Sequence, residues 1–377
     1  MKIIYCYPNI EYRGGIERVI ANKANYLVQH NCEVCIVTTD QRGRPNAFPL
    51  NEKVKCYDLD INYSLNWNRP FLKKIYHYFM DRWKHKRRLA SFLKEQKPDI
   101  VVSAFRQEET ILPQLKDGSK KIVEFHFSRV FFDYSYRKGW HGYLDKYHYA
   151  RMVSAIKKYD KFILLTHEDK TNWRGYNNIE VIPNARTFQC ERPASLEQPR
   201  AIAVGRYVFE KGFDRLIEAW KIVHQRTEGW TLHLVGDGEL RNELQAQIDS
   251  SGLRNVVFLD GISTQIKEEY LKSSFLVCTS RFEGFGMMML EAESAGLPIV
   301  SFACPCGPRD LIKDGDNGFL VSDGDIEGLA ERIIYLIEHP QERKEMGRKA
   351  FEYSGNFSQE KVMAQWMALF DRLVRQG

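Results

Sequence analysis

Short apolar runs alternate with longer polar or amphipathic stretches along most of the chain. Runs of six to eight residues rich in Ile and Val predict buried strands, and stretches with apolar positions three or four residues apart predict helices. In the N-terminal half the predicted strands are residues 2–7, 33–40, 99–105, 121–127, 159–166 and 179–185, and the first predicted helix is residues 15–31.

A polar, aperiodic segment with two prolines interrupts this alternation at residues 190–200 and is typical of a linker. The alternation then restarts. We therefore predict two Rossmann-like α/β domains, residues 1–190 and 191–356, with the amphipathic segment 357–377 packing back on the first. In the C-terminal half the predicted strands are 201–206, 231–238, 256–261, 275–280, 298–302 and 318–321, and the predicted helices are 213–227, 238–252, 264–274 and 287–296.

Strands that are apolar throughout and are joined by helices indicate parallel sheets covered on both faces. Such sheets bind ligands beyond the carboxyl ends of their strands, so we expect a ligand in the cleft between the two domains. The length of 377 residues also favours two hydrophobic cores over one.

Composition excludes several classes of protein. No apolar run approaches the roughly 20 residues that a transmembrane helix needs, and the charged segment after the first strand does not suit a signal peptide. We therefore expect a cytoplasmic protein whose eight cysteines are reduced. Cys32 directly precedes the predicted strand 33–40 and Cys35 lies in it. Residues three apart along an extended chain face opposite sides, which argues against a metal or redox pair.

The segment RFEGFGMMMLEAESAGLP places a carboxylate beside two glycines at a predicted helix start. Gly284 and Gly286 allow the backbone to approach a ligand closely, and the helix N-terminus favours an anion. Glu283 would repel a phosphate, so it is better suited to accept hydrogen bonds from hydroxyl groups, as is Glu291 further along. Two solvated helix glutamates are the plain alternative.

Charged and glycine-rich loops follow three other predicted strands. Arg206 offers a planar fork and Lys211 a point charge, a combination suited to a pyrophosphate; two exposed loop charges are the alternative. Gly14 and Gly15 open the first helix, where backbone N–H groups can meet a phosphate, although the G-x-G-x-x-G dinucleotide fingerprint is missing. His126, at a strand end, is placed to contact a reacting group or is an ordinary polar residue.

Residues 71–97 form a predicted amphipathic helix with nine basic residues against two acidic ones. A basic amphipathic helix is typical of binding to a membrane surface or an acidic ligand. Lys84, Arg87 and Arg88 are candidate ligands for a lipid phosphate. A solvated basic face is one alternative, and a nucleic-acid-binding patch at residues 73–97 is another.

Taken in order, five stretches resemble the retaining family 4 glycosyltransferases of the GT-B fold, and the resemblance covers nearly the whole chain. It implies two Rossmann-like domains that face each other across a cleft, and transfer of a sugar from a nucleotide sugar with retention and without a metal. The stretches are GRYVFEKGFDRLIEAW, LVGDGELRNELQ, VVFLDG, TSRFEGFGMMMLEAESAGLPIV and GDNGFLV.

Residue by residue, the resemblance implies the following roles. Glu283 contacts the hydroxyls of the donor sugar and Glu291 contacts the ribose. Arg206 and Lys211 hold the diphosphate, and His126 lies near the donor sugar. The implied catalytic residues are thus His126 and Glu283, the implied donor-binding residues are Gly14, Gly15, Arg206, Lys211, Gly284, Phe285, Gly286 and Glu291, and no metal or cofactor is implied.

Two loops are similar to those of bacterial members that extend lipid-linked oligosaccharides or surface polysaccharides: GGIERV and CPCGPRDLI. This similarity implies a hexose or N-acetylhexosamine donor, linked to UDP, and a polyprenyl-linked or glycan acceptor at the cytoplasmic face of the inner membrane, with peripheral attachment and no nucleic-acid partner. A nucleotide-sugar epimerase of the same fold is an alternative, but it needs two acid/base groups and only His126 is evident. A non-enzymatic nucleic-acid-binding protein that uses residues 73–97 is the other.

Overall fold

A computed structural model of the chain describes residues 1–12, 14–66, 70–135 and 140–375 and shows two parallel β-sheets. The first sheet has seven strands, β1 (Lys2–Cys6), β2 (Glu33–Thr38), β3 (Lys55–Asp58), β4 (Ile100–Ser103), β5 (Lys120–Phe125), β6 (Lys161–Leu164) and β7 (Ile179–Val181). Their order is β3-β2-β1-β4-β5-β6-β7 and every neighbouring pair is parallel. The chain order reverses between β1 and β4, as in other doubly wound sheets.

Five α-helices in the described part of this half connect the strands. They are α1 (Gly15–Gln29), α2 (Phe71–Gln96), α3 (Val130–Ser135), α4 (Trp140–Ile156) and α5 (His167–Asn172). Apolar clusters cover both faces of the sheet. Cys32 belongs to one cluster and Cys35 to the other, so the two thiols lie on opposite faces, as the alternation of a strand predicts.

The second sheet has six parallel strands in the order β10-β9-β8-β11-β12-β13. These strands are β8 (Arg200–Val204), β9 (Thr231–Val235), β10 (Val257–Gly261), β11 (Phe275–Cys278), β12 (Ile299–Phe302) and β13 (Gly318–Val321). The two sheets are separated between Val181 and Arg200, and the predicted linker falls within this interval.

The helices of the C-terminal half follow the same alternation until β13. They are α6 (Phe213–Arg226), α7 (Arg241–Ser250), α8 (Ile266–Leu271), α9 (Met287–Ser294), α10 (Pro308–Leu311), α11 (Ile326–Glu338), α12 (Pro340–Ser354) and α13 (Gln359–Arg375). The last helix leaves this half and packs on the first sheet, where Trp366 and Phe370 are buried against Ile3 and Leu27.

The carboxyl ends of the two sets of strands face each other. The backbone N–H of His167, which follows β6, donates to Asp310 Oδ1 over 2.6 Å. Nearby, Arg309 Nη1 lies 2.8 Å from Glu168 Oε1. Within the part of the chain that the structure describes, no helix is both long and apolar enough to cross a bilayer. The predicted two-sheet α/β fold is therefore confirmed, with a cleft bounded by both sets of strand ends.

Candidate active site

A partly buried ion pair lies at the carboxyl ends of β8 and β11. Lys211 ends a short 3₁₀ turn after β8, and its Nζ donates to Glu283 Oε1 over 2.7 Å. The Ser280 hydroxyl donates to the same oxygen over 2.6 Å. Burial by itself lowers the pKa of Lys211, but Glu283 outweighs it and leaves that pKa above its usual value. Lys211 is therefore held as a cation at the cleft.

Two glycines in the loop that carries Glu283 are required for different structural reasons. Gly286 has a φ of +91° and directly precedes α9, so the loop can turn into the helix there. At Gly284 the reason is space, because a Cβ there would overlap the carbonyl oxygen of His126. The backbone of the loop that carries Glu283 is thus packed against the backbone of His126, at the end of a strand on the opposite side of the cleft.

Arg281 fixes the turn that presents Lys211. Its two terminal nitrogens lie 3.0 and 2.6 Å from the carboxylate oxygens of Asp214, and its guanidinium stacks 4.0 Å from the Phe209 ring centroid. Gly212 has a φ of +61° and packs against the carbonyl of Thr279. Sequence reasoning missed Arg281, although it sits beside Glu283 in the same motif.

His126 belongs to a buried charged network that the sequence did not reveal. Its Nε2 lies 3.1 Å from Glu124 Oε2, and the same oxygen accepts a 2.6 Å hydrogen bond from Lys23 Nζ. Burial alone raises the pKa of Glu124, but Lys23 and His126 together bring it down to about 2. Residues two apart on a strand share a face, and this spacing is the signal that pairs Glu124 with His126.

Glu291 lies inside α9 and is already bonded. Its carboxylate accepts from Thr187 Oγ1 at 2.8 Å and from Tyr270 OH at 3.2 Å. Arg18, from the first turn of α1, reaches across the cleft to within 3.6 Å. Burial raises the pKa of Glu291. Arg18 was also missed by sequence reasoning, although it belongs to the GGIERV loop.

Other predicted donor-binding residues occupy the cleft with different exposure. Arg206 is exposed at the end of β8, and no carboxylate in the described ranges forms an ion pair with it. Gly14 is the N-cap of α1 and Gly15 its first residue. Phe285 is buried against Phe357, with ring centroids 6.0 Å apart. A donor contact from Phe285 is therefore confined to its backbone.

The three predicted acceptor residues on α2 are not equivalent. Lys84 Nζ donates to the carbonyl of Asp60 over 2.7 Å, and Arg88 donates to the carbonyls of Leu59 and Asp60. These two side chains hold the loop after β3. Arg87 is exposed and stacks 5.4 Å from the Trp83 ring centroid. The acceptor role stays a prediction, and Arg87 is the side chain best placed for it.

Neither metal-binding clusters nor disulfides occur among the residues that the structure describes. Cys304 and Cys306 flank the cleft loop after β12, and burial raises the pKa of both thiols. These cysteines are therefore protonated packing residues rather than nucleophiles.

Two parallel sheets that turn their carboxyl ends toward each other, with Lys211, Glu283 and His126 gathered between them, define a glycosyltransferase of the GT-B class. The family model described as Glycosyltransferase Family 4 matches residues 13–186, and the one described as Glycosyl transferases group 1 matches residues 186–353. Together they span most of the chain, which belongs to the family 4 glycosyltransferases.

Relatives along the full length support this assignment. The chain is 27% identical to the amylovoran biosynthesis glycosyltransferase AmsD of Erwinia amylovora over 97% of this chain and 98% of that protein. It is 29% identical to the lipopolysaccharide 1,6-galactosyltransferase of Salmonella typhimurium over 89% and 90% of the two chains. The structure of an S. aureus TarM mutant with fondaparinux, α-GlcNAc-glycerol and UDP superposes with a TM-score of 0.75 at 17% identity, covering 98% and 99%. The predictions of family and fold are confirmed.

Proposed function

We propose that the protein is a retaining, metal-independent glycosyltransferase of surface-polysaccharide synthesis. It moves a hexose or N-acetylhexosamine from a UDP-sugar to a polyprenyl-linked or glycan acceptor at the cytoplasmic face of the membrane. The observation that carries this proposal is the meeting of Lys211, Glu283 and His126 at the cleft. A cation for the leaving diphosphate, an acceptor for sugar hydroxyls and an imidazole beside the sugar are then within one site.

Lys211 supplies charge where charge develops. As the glycosidic bond breaks, negative charge grows on the diphosphate, and a preorganised cation in a partly desolvated site stabilises it more strongly than water does. Arg206, exposed at the end of β8, provides a second cation from the same side. Glu283, held by Ser280 as well as by Lys211, keeps one partner when Lys211 turns toward the diphosphate. Two protein cations then take the part that a metal ion plays in other transferases.

Retention follows from attack on the face that the diphosphate leaves. In this scheme a diphosphate oxygen accepts the proton of the acceptor hydroxyl, and the new bond forms on the same face as the old one. Glu283 and His126 hold the donor sugar while this happens. The protein contributes position and electrostatic stabilisation rather than a covalent intermediate.

Glu291 is the proposed ribose-binding carboxylate. Thr187, Tyr270 and Arg18 hold it in place, so its position is fixed before the ligand arrives. The UDP that accompanies the structurally similar TarM mutant and the galactosyl transfer named for the Salmonella relative support a UDP-linked donor. The amylovoran and lipopolysaccharide pathways of the two relatives support a surface-glycan acceptor.

The proposed membrane contact is the exposed face of α2. Phe79 and Trp83 are 65% and 57% exposed, which is unusual for such large apolar side chains, and Lys73, Lys74 and Arg87 lie exposed on the same helix. Apolar side chains framed by cations suit the boundary of an anionic bilayer. The contact of Arg82 with Thr110, in the loop after β4, places this part of α2 at the cleft side of the sheet.

The two alternatives are not favoured. The relatives over the full length are named as transferases, which favours transfer over epimerisation. A nucleic-acid-binding role for residues 73–97 gives no function to the ion pair of Lys211 and Glu283.

A donor panel tests the proposal directly. We expect UDP-galactose, UDP-glucose or one of their N-acetyl forms to raise the melting temperature and to be consumed with an acceptor present, while GDP- and ADP-sugars do neither. The anomeric configuration of the product, read by NMR, tests retention. Unchanged turnover after treatment with EDTA tests metal independence. Turnover that requires an added divalent cation would contradict that part of the proposal.

A further inference from the structure

Four side chains from three separate elements form one buried chain of contacts that ends at His126. Trp366 of α13 covers Lys23 of α1, whose Nζ lies 3.8 Å from the ring centroid. Lys23 donates to Glu124 on β5 over 2.6 Å, and Glu124 Oε2 lies 3.1 Å from His126 Nε2. Lys23 and Glu124 are 5% and 2% exposed, so solvent contributes little to holding their charges.

Stability alone does not explain this arrangement. A buried ion pair loses solvation that its own attraction repays only in part, and replacing such a pair by apolar groups of similar size is often neutral or stabilising. The buried cluster on this face of the sheet consists of apolar and aromatic residues, with the Tyr5 hydroxyl as a nearby polar group. A pair kept at this cost, in contact with a side chain at the cleft, points to a role at the site.

We infer that Glu124 is a positioning residue for His126. This role rests on the proposed function. Glu124 holds the imidazole through its Nε2–H group. Nδ1 is then left as the hydrogen-bond acceptor for a hydroxyl of the donor sugar. Lys23 keeps the carboxylate ionised, and Trp366 shields Lys23 from water. The helix that crosses back from the C-terminal half therefore stabilises the orientation of a side chain at the reacting sugar.

The contact is close but not yet well directed. At 3.1 Å the His126 Nε2–H group is not aimed at the carboxylate, and Glu124 Oε1 has no hydrogen-bond partner in the described structure. Hydrogen bonds in catalytic sites are often poorly aligned without substrate and become aligned in the complex. A rotation of the imidazole toward a bound sugar would complete the hydrogen bond to Glu124.

A double-mutant cycle on turnover tests the inference. We expect Glu124→Gln to lower kcat about tenfold or more with little change in the KM for the donor. In a His126→Ala background, the same substitution should lower kcat no further, since its effect passes through the imidazole. The matched control is Asp117→Asn, which breaks the buried contact with Lys121 at the other end of the same strand and should leave kcat unchanged.

Folding is controlled with a paired variant. Glu124→Gln leaves Lys23 as an unpaired buried cation. The paired variant Lys23→Met with Glu124→Gln removes both charges at once. This double variant is expected to melt within a few degrees of the parent and still to show the reduced kcat. If it regains the parent's kcat, the carboxylate does not position His126.

A spectroscopic measurement separates this inference from the proposed function. With ¹⁵N-labelled histidine, His126 should carry its proton on Nε2 in the parent and lose that preference in the paired variant, with no turnover needed. If His126→Ala transfers sugar like the parent, the proposed role of His126 fails. If His126→Ala is impaired but the two substitutions reduce kcat multiplicatively, or the tautomer is the same in the paired variant, the inference about Glu124 is overturned.

Discussion

The two halves of the molecule share one α/β architecture but differ in whether the polar groups at their strand ends have hydrogen-bond partners. In the C-terminal half, the carboxylates at the cleft are bonded within the described structure, as Glu283 is to Lys211 and Glu291 to Tyr270. In the N-terminal half, buried polar atoms without a hydrogen-bond partner collect behind the carboxyl ends of the strands. They include atoms of Asn9, Asp40, Ser64, Glu109, His126 and Ser128.

This difference fits the division of tasks that we propose, in which the C-terminal half binds the donor and the N-terminal half binds the acceptor. A nucleotide has the same groups in every turnover, so its site can be assembled and bonded in advance, which limits reorganisation during the reaction. A glycan acceptor brings many hydroxyls, and unpaired polar atoms near these strand ends are candidate partners for them, with the exception of the Glu109 carboxyl, which is only 1% exposed. Buried polar groups that lack partners are uncommon in proteins, and their concentration at one wall calls for a functional explanation.

The largest effect on activity is expected from breaking the hydrogen-bonded carboxylate network of the C-terminal half, Glu283 with Lys211. Lys211→Ala removes a cation from the diphosphate and also leaves Glu283 without its ion-pair partner. We expect kcat to fall by a factor on the order of 10²–10³, as for other groups that stabilise developing charge. Turnover at saturating donor is the measurement. Lys221→Ala, on the exposed side of α6, is the control, and equal activity of the two variants would remove Lys211 from the site.

The two cleft carboxylates of the C-terminal half, Glu283 and Glu291, should affect different kinetic parameters. Glu283→Gln should lower kcat by roughly 10²-fold, because we propose that Glu283 contacts the sugar whose bonds change. Glu291→Gln should chiefly raise the KM for the donor by about tenfold, since the ribose is bound equally in the ground and transition states. Steady-state kinetics with the same donor distinguish the two. A larger kcat loss for Glu291→Gln would reverse the assignment.

The exposed face of α2 should respond more weakly and only with a membrane acceptor. Replacing Phe79 and Trp83 by Ser is expected to release the protein from vesicles containing anionic lipid and to raise the KM for a lipid-linked acceptor about tenfold. Hydrolysis of the donor should be unchanged. Ile262→Ser, at a residue 77% exposed in the other half, is the control. Parent-like sedimentation of the α2 variant would leave a soluble glycan as the acceptor.

Most of the second sheet and its site could be predicted because the information is local. A continuous apolar strand, a glycine loop and a helix start follow one another in TSRFEGFGMMMLEAESAG, and the structure keeps that order. The missed strand β3 is exposed at all four residues and lies at the sheet edge, so it has no apolar run to signal it. Helices α11 and α12 carry apolar faces but lie between residues 321 and 357, where the prediction assigned no element.

Contacts between distant parts of the chain could not be predicted. The network at His126 joins residues 101 positions apart in sequence, Lys23 and Glu124, and is covered by Trp366 from the last helix. Periodicity shows that each of these residues faces inward, but it does not show which inward-facing residues meet. The same limit applies to α2, where Lys84 and Arg88 hold a nearby loop although their charge pattern predicted a ligand.

The smallest effect on activity is expected at Glu109, one of the N-terminal residues with an unpaired buried atom. Burial of this carboxyl is expected to lower the free energy of unfolding. This carboxyl is 1% exposed, and burial, with the nearby charge of Glu108, raises its pKa from 4.5 to about 8. Between these two values the folded protein keeps a proton that the unfolded chain has lost, so stability falls as the pH rises from 4.5 to 8.

Glu109→Gln removes the titration. It should therefore add on the order of a few kcal/mol to the free energy of unfolding at pH 8 and little at pH 4, with kcat unchanged. Urea denaturation at both pH values measures this, with Glu95→Gln on the exposed face of α2 as the control. An equal gain at both pH values would mean that packing, and not the cost of burying a charge, distinguishes this wall of the cleft.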